Sequence, residues 1–189
     1  RLNLFTIPFY FKTAGDLRRL SSAKSIYGTG LILAALAERT TLTIELGLQT
    51  SNDESAARIN RGHNFATFCQ GFAKLRAASK KINICVHIIF GLPKEDDETM
   101  LQTVRDVSAL HPNQVKIHLL HVIKHTRLAK MFESGVYTPL EREHYISLVA
   151  DALEILPPDV VIARLTGDGM ADSLLAPQWS RKKVTVLND

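Results

Sequence analysis

The stretch IELGLQTSNDESAARINRGH, Ile44 to His63, begins as an apolar run and turns sharply polar halfway along. Alternate residues of a strand share a face, so Glu45 and Gln49 interrupt the apolar run on a single face. A buried strand requires neither polar side chain, and we therefore interpret this face as directed toward a ligand. The Ser-Asn-Asp turn that follows is typical of a helix start, so the stretch predicts a strand, a turn and a helix in succession.

Three further apolar runs resemble this one in length and in β-branched content, and each of the four predicts a strand buried on both faces. The four runs are LTIELGLQ (42–49), INICVHIIFGLP (82–93), QVKIHLLHVI (114–123) and VVIARLTG (160–167). Apolar residues three and four apart predict helices at 52–60, 65–79, 95–110, 128–134 and 141–156. Alternation of strands and helices predicts parallel α/β structure. Upstream, two more strands are predicted at 3–12 and 24–30.

The chain reads as one α/β domain over residues 1–166, followed by an extension over 167–189 that contains the single tryptophan, Trp179, and wraps or caps the domain. No internal repeat or flexible linker divides it. The sequence starts with Arg1, and at Gly30-Leu31 a predicted strand runs into a predicted helix without a polar loop. We therefore expect that a segment is missing at the Gly30-Leu31 junction.

The 189 residues, 46% of them hydrophobic, suffice for one buried core, which excludes a globally disordered chain. A net charge of +4 and a pI near 9.1 permit a nucleic-acid partner, but the basic residues are dispersed and form no block. Cys69 and Cys85 follow no metal or redox spacing, so we expect reduced thiols in a cytoplasmic protein. No apolar run reaches the roughly 18 residues of a membrane span, and we expect no membrane partner.

Polar residues late in the predicted strands are the candidates for ligand contact, because ligands of parallel α/β folds bind beyond the carboxyl ends of the strands. In chain order these residues are Glu45, Gln49, His87, Lys116, His118, His121, Arg164, Thr166 and Asp168. His121 has the opposite parity to His118 and shares the site only if its strand has already ended. Arg58 and Arg61 follow Gln49, and one of them could reach back over the strand ends toward a carboxylate or phosphate.

Each candidate also has a structural interpretation. Glu45 could be a buried carboxylate paired with Lys116 or Arg164. The turn FGLP, with Gly91 and Leu92, could be an ordinary strand-to-helix turn, although its glycine lets the backbone approach a ligand. The acidic run from Lys94 to Glu98 is interpreted as a helix amino terminus without a catalytic role.

Several functions find little support in the residues. His118 and His121 would lie on opposite faces of one strand, which disfavours a shared metal. No Ser-His-Asp order, Walker loop or dinucleotide fingerprint is present, which argues against hydrolases, phosphoryl transferases and simple dehydrogenases. A lyase using Lys116 as a Schiff base would need that amine desolvated.

The motifs ELGLQTSNDESAARINRGHNFATF, CVHIIFGLPKEDDETML, VKIHLLHVIKHTRLAKMFESG and RLTGD closely resemble one family of radical S-adenosylmethionine (SAM) proteins. The sequence is similar to the YhcC group, which is related to the Elp3 family, from about Glu38 to the end. The resemblance implies a partial (β/α)6 TIM-like barrel, incomplete at its amino-terminal end. It also implies SAM and a [4Fe-4S] cluster as cofactors, and reductive cleavage that yields a 5′-deoxyadenosyl radical.

The resemblance also implies roles for particular residues. Cofactor contacts are expected from Glu45, Gln49, Arg61, His87, Gly91 and Leu92. Contact with an unidentified substrate, or proton handling, is expected from Lys116, His118, His121, Arg164 and Asp168. An electron donor such as a flavodoxin or ferredoxin is implied as a partner, and RNA is a possible substrate by analogy with Elp3 proteins.

This sequence departs from the family at the cluster, because the CxxxCxxC triad that holds it is absent. Three of the four irons of such a cluster need thiolates. Cys69 lies in a predicted helix and Cys85 in a predicted strand, so neither is a suitable substitute. We expect this chain alone to be inactive, either because its parent protein carries the triad in another segment or because it is a degenerate paralogue. The alternative function is a SAM- or RNA-binding module without a cluster.

Overall fold

The computed structural model describes residues 9–13, 16–20, 33–167 and 172–181. The strand predicted at 24–30, the junction at Gly30-Leu31 and the candidate Asp168 lie outside these ranges. The strands are β1 (Phe9–Thr13), β2 (Asp16–Leu20), β3 (Leu42–Gln49), β4 (Ile82–Phe90), β5 (Gln114–Leu119), β6 (Val122–Ile123), β7 (Val161–Arg164) and β8 (Leu174–Ala176).

Six of these strands form one sheet in the order β2-β1-β3-β4-β5-β7. Strands β3, β4, β5 and β7 are parallel neighbours, and this confirms the predicted α/β class with a parallel sheet. β1 pairs antiparallel with both β2 and β3, so the amino-terminal part of the sheet does not continue the parallel pattern. Four consecutive parallel strands linked by helices are the central part of a barrel of the expected type.

Helices connect the parallel strands at nearly the predicted positions. They are α1 (33–37), α2 (Asp53–Arg58), α3 (Phe65–Ala78), α4 (Asp97–Ala109), α5 (Arg127–Glu133) and α6 (Arg142–Ile155). Four of them begin with a side chain that accepts a hydrogen bond from the first turn, which satisfies an otherwise unpaired backbone N–H. These capping residues are Asn52, Asn64, Asp96 and Thr126.

The two faces of the parallel sheet differ in chemistry. On the outer face, Leu42, Ile44, Leu46 and Leu48 of β3 alternate into a core shared with α3, α4 and α6. The inner face, defined by Glu45 and its period-two neighbours, carries polar side chains. Helices therefore cover one face and leave the other for ligands.

Burial on both faces, predicted for all four strands, is wrong for β3, β5 and β7. Inner-face residues of β3 and β5 are mostly intermediate in exposure, so these strands alternate. β7 is largely exposed, with Val161 at 56%. Its neighbour on one side is β5, and among the described strands none pairs with its other edge.

The run QVKIHLLHVI is divided in the structure. β5 ends at Leu119, and β6 turns away to pair with β8 in a separate two-stranded sheet. Trp179 follows β8, donates a hydrogen bond from Nε1 to the carbonyl of Leu140, and packs beside the ring of Tyr145. The segment 172–181 is thus packed against α6 and the loop before it. Among the described residues, no helix has both the length and the apolar content needed to span a membrane.

Candidate functional site

Glu45 is the centre of the polar inner face. Its Oε1 lies 2.6 Å from Nζ of Lys116, and its Oε2 lies 3.0 Å from Nε2 of His87. The three residues come from β3, β4 and β5, so one carboxylate joins three strands. The predicted pairing with Lys116 is confirmed, whereas the contact with His87 was not predicted. Oε1 of Glu45 already engages the amine of Lys116, which disfavours its use as a Schiff-base nucleophile.

These contacts keep Glu45 ionised. The contact with His87 lowers the pKa of Glu45 most, and the hydrogen bond to Lys116 lowers it further against the opposing effect of burial, to about 2. A carboxylate with so low a pKa is a poor proton acceptor at neutral pH. Glu45 therefore supplies a fixed negative charge, suited to holding a cation in place.

Two imidazoles lie together beside this carboxylate. The rings of His87 and His118 are 5.3 Å apart between centroids and are inclined at 36°. Burial lowers the pKa of His118 to about 3, assisted by the nearby positive charges. His118 is therefore neutral, and its buried Nε2 has no hydrogen-bond partner among the described residues.

A second group of polar side chains forms at the carboxyl end of β3. Nε of Arg61 donates to the carbonyl of Gly47 at 3.1 Å, and the guanidinium makes a further contact with the same oxygen through Nη2. Arg61 reaches back over the strand, as predicted for one of the two arginines, but its partner is a backbone carbonyl rather than a carboxylate or phosphate. Arg58 instead donates to the carbonyl of Pro93 and to Ser55. Arg61 lies beyond the end of α2, in the loop that follows this helix.

Gln49 is the most unusual residue of this group. Its backbone φ is +76°, a conformation uncommon for residues other than glycine. Its side chain is buried, with 3% exposure of the residue, and neither Nε2 nor Oε1 has a partner among the described residues. A Cβ on Gly47 would lie 2.7 Å from Nε2 of Gln49 and 3.3 Å from the guanidinium of Arg61. The glycine thus leaves room for both polar side chains.

The remaining strand-end candidates occupy different places. Lys116 and Arg164 are register partners on β5 and β7. His121 follows the end of β5, as its parity requires, and a Cβ on Gly167 would lie 3.2 Å from its ring. These positions bring Lys116, His118 and Arg164 to one part of the inner face.

The FGLP turn is held by the protein itself. Gly91 has φ +87°, its N–H donates to Sδ of Met100 at 3.1 Å, and its carbonyl accepts from Oη of Tyr137 at 2.8 Å. A Cβ there would lie 3.3 Å from Leu140. The turn therefore needs glycine for its conformation and its packing.

Glu95 has a structural role that the sequence interpretation missed. Oγ1 of Thr50 donates to its Oε1 at 2.7 Å, which connects the end of β3 to the turn after β4. Burial raises the pKa of Glu95, and its Oε2 has no partner among the described residues. The prediction of a helix amino terminus from Lys94 to Glu98 is wrong for Glu95, because Asp96 caps α4. The sequence signal for this difference is Asp96, a residue typical of a helix cap, which directly follows Glu95 and places Glu95 outside the helix.

A groove of about 400 Å³ lies beside the carboxyl ends of β4 and β5. Its apolar lining consists of Ile59, Leu92, Pro93, Leu120, Leu128, Met131 and Val136. Its charged lining residues are all basic, namely Arg58, Lys94 and Arg127. This groove could not be predicted from the sequence, because residues far apart along the chain line it.

The two cysteines do not fit an iron–sulfur cluster. Burial raises the pKa of Cys85 to about 12, and burial also raises the pKa of Cys69. Both are free thiols, one on β4 and one on α3, whereas cluster ligation requires thiolates brought together. No group of metal-ligating residues occurs within the ranges that the structure describes. The residues around Gln49, in contrast, fit a polar organic cofactor.

Comparison with known proteins identifies the family. Residues 22–107 match the Radical SAM superfamily and residues 112–189 match the Radical_SAM C-terminal domain. The chain therefore belongs to the radical SAM superfamily, as the resemblance implied. The protein YtqA of Bacillus subtilis is 44% identical over 82% of this chain and 48% of its own length. YhcC of Escherichia coli is 35% identical over 75% of this chain and 45% of its own length.

A solved structure agrees in fold. Elp3 of the archaeon Methanocaldococcus infernus superposes with a TM-score of 0.64 at 22% identity, covering 76% of this chain and 35% of that one. The similarity confirms a barrel of the radical SAM type. The chain spans about half the length of the curated relatives it matches.

Proposed function

We propose that this chain is the SAM-binding part of a radical SAM enzyme. The buried amide of Gln49 carries this proposal. The amide lies next to Gly47 and Arg61, and neither of its two polar atoms has a hydrogen-bond partner among the described residues. A buried polar group without a partner costs free energy, and a bound ligand removes that cost. The position of these residues at the carboxyl end of β3 supports the assignment.

The chemistry of the residues suits the parts of SAM. The guanidinium of Arg61 is suited to the methionine carboxylate, and the fixed charge of Glu45 is suited to the methionine ammonium. The amide of Gln49 and the imidazole of His87 can bond to ribose hydroxyls. The turn with Gly91 and Leu92 leads into the apolar groove and is our candidate contact for the adenine.

The proposed reaction needs a cluster that the residues of this chain do not hold. A [4Fe-4S] cluster supplies the electron for cleavage of SAM in this superfamily, and Cys69 and Cys85 do not fit it. We expect no cleavage by this chain alone. We propose an electron donor such as a flavodoxin or ferredoxin for the whole protein. Substrate contacts are proposed for Lys116, His118, His121, Arg164 and Asp168, and the two free thiols support a cytoplasmic location.

Binding of SAM to the purified chain tests the proposal. In calorimetric titrations, Gln49→Ala combined with Arg61→Ala should weaken binding at least about tenfold, since a hydrogen bond to a charged group contributes about 1.5–3 kcal/mol. Arg105→Ala is the matched control, because Arg105 lies on α4 at the outer face. Far-ultraviolet circular dichroism should show that all variants remain folded. Equal affinity in the double variant would place the cofactor elsewhere.

The groove with a basic rim favours a second candidate, an RNA-binding module without a cluster. Arg58, Lys94 and Arg127 around an apolar floor could contact phosphates while a base occupies the floor. Affinity for single-stranded RNA that falls with salt, and falls again in Arg127→Ala, would favour this candidate. Iron bound stoichiometrically by the whole protein would favour the enzyme.

A further inference from the structure

Buried hydroxyl groups hold the segment that directly follows Gln49. Thr50 and Thr103 are both buried, and Thr103 lies on α4, far from Thr50 along the chain. Oγ1 of Thr103 accepts from the backbone N–H of Ser51 at 3.1 Å and lies 3.2 Å from Oγ of the same serine. Since the hydroxyl of Thr103 donates to the carbonyl of Thr99 at 3.3 Å, the hydroxyl of Ser51 is the donor in their contact. Hydrogen bonds thus connect α4 to the loop between β3 and α2.

Thr50 provides a second anchor in the same loop. Its Oγ1 donates to Oε1 of Glu95 at 2.7 Å and accepts from the backbone N–H of Asn52 at 3.1 Å. The same oxygen lies 3.4 Å from Oγ1 of Thr103, so the two threonine hydroxyls are neighbours. The backbone N–H groups of Ser51 and Asn52 are therefore both bound by threonine side chains.

Gln49 needs such support because its backbone conformation is unfavourable in isolation. Its φ of +76° is one that residues with a Cβ rarely adopt. The pairing of β3 with β4 also shifts register between Gly47 and Gln49, so Gln49 departs from the regular geometry of the strand. A strained backbone conformation persists only when the surrounding structure fixes it. The anchored residues Thr50 and Ser51, which follow directly, meet this requirement.

We propose that Thr103 is a positioning residue, which holds the loop after β3 so that the amide of Gln49 is presented to SAM. This inference rests on the proposed function, because the amide that Thr103 positions is the one assigned to the cofactor. α4 packs on the outer face of the sheet, whereas the proposed ligand lies at the inner face. Thr103 therefore acts on SAM through the loop and not by contact.

The hydroxyl group is the part of Thr103 that this role requires. Valine has nearly the same shape but cannot accept from Ser51, so a backbone N–H would lose its partner. The loop would then move to satisfy this group, and Gln49 would move with it. Serine keeps the hydroxyl and loses only a buried methyl group. Comparing valine with serine at this position therefore separates positioning from packing.

Calorimetric titration of the chain with SAM tests the inference. Thr103→Val should raise the dissociation constant about fivefold or more, whereas Thr103→Ser should stay within about twofold of the wild type. A purely structural role would weaken binding in both variants, since both disturb the core. Ser108→Ala is the matched control, because this hydroxyl lies on the same helix but donates to the carbonyl of Ile155. It should leave the affinity unchanged.

Two further measurements show whether Thr103 acts through Gln49. In a Gln49→Ala background, Thr103→Val should change the affinity for SAM by less than about twofold, because the side chain that it positions is already absent. In the chain without SAM, the side-chain amide resonances of Gln49 are assigned with Gln49→Ala. These resonances should shift in Thr103→Val and return to their wild-type positions in Thr103→Ser.

The outcomes separate this inference from the proposed function. Unshifted Gln49 resonances in Thr103→Val, or wild-type SAM affinity in that variant, would overturn the inference. If the wild type does not bind SAM, the proposed function is wrong, and the Gln49 resonances alone decide whether Thr103 positions this amide. If Thr103→Val does not fold, Thr50→Val compared with Thr50→Ser decides by the same measurements, because Thr50 is the second anchor of the loop.

Discussion

Nζ of Lys116 lies 2.6 Å from Oε1 of Glu45, although β4 separates the strands that carry them. The long lysine side chain passes over β4 on the inner face, where His87 also contacts the carboxylate. One acidic residue therefore connects three parallel strands through side chains, in addition to their backbone hydrogen bonds. Removing one partner of a mostly buried ion pair leaves the other charge uncompensated, and this is costly.

Replacing Glu45 with glutamine should lower the free energy of unfolding at neutral pH by about 2 kcal/mol, because Lys116 loses its counter-charge. Chemical denaturation measures this difference. The matched control is Glu38→Gln, which removes an exposed ion pair with Lys81. That substitution should cost less than about 1 kcal/mol. Equal losses in the two variants would show that Glu45 is no more important than a surface residue.

The effect of Glu45 should also depend on pH. Its pKa is lower in the folded chain, about 2, than its ordinary value of 4.5. Its stabilising contribution is therefore complete above pH 4.5 and is lost as the pH falls toward 2. The stability difference between the wild type and Glu45→Gln should shrink over this interval. A constant difference would contradict the ion pair as its cause.

Substituting Gly47 with alanine should weaken SAM binding about tenfold or more, because the new methyl group would lie 2.7 Å from Nε2 of Gln49. Displacement of Gln49 and Arg61 is the expected cause. Gly71→Ala is the control, since nothing lies within 4 Å of a Cβ at that position of α3. That change should raise the free energy of unfolding by about 0.5–1 kcal/mol. Undiminished SAM binding in Gly47→Ala would contradict a tightly packed site.

Replacing Glu95 with glutamine should raise the melting temperature at neutral pH. Burial raises the pKa of Glu95, so the folded chain binds this proton more tightly than the unfolded chain and loses stability as the pH rises. Glutamine is neutral and still accepts from Thr50, so its advantage should disappear in acid. Glu98→Gln, on the exposed side of α4, is the control. A lower melting temperature in Glu95→Gln would indicate that the ionised carboxylate stabilises the turn.

Tyr137→Phe should lower the free energy of unfolding by about 1–2 kcal/mol, because the buried carbonyl of Gly91 would lose its donor. Val136→Ala provides the comparison, since Val136 is adjacent in sequence but 70% exposed. Its effect should be within about 0.5 kcal/mol. Thermal unfolding of both variants distinguishes the loss of one hydrogen bond from a general effect on the segment.

Local periodicity predicted the parts of the fold that depend on neighbouring residues. The alternation around Glu45 placed β3 at residues 42–49, as the structure has it. The three- and four-residue spacing of apolar residues placed α2 and α3 within about two residues of their bounds. The partner of Glu45 was also predictable, because Lys116 was one of two basic residues expected at the same end of the sheet. A buried carboxylate requires such a partner.

Features that depend on distant segments were not predictable. The exposure of β7 follows from its place at the edge of the sheet, and the run VVIARLTG contains no sign of that place. The sequence does not distinguish Glu95 from the neighbouring helix-terminal acids, because its partner Thr50 is far away in sequence. The positive φ of Gln49 is also not predictable from the sequence, because glutamine rarely adopts this conformation.

The single tryptophan turns the docking of the carboxy-terminal segment into an optical signal. Trp179 lies 5.7 Å from the ring of Tyr145 between centroids and donates to the carbonyl of Leu140. An indole in this surrounding differs from one in water, so its fluorescence reports whether the segment stays on α6. Release of the carboxy-terminal segment can therefore be followed without a dye, through the emission of Trp179.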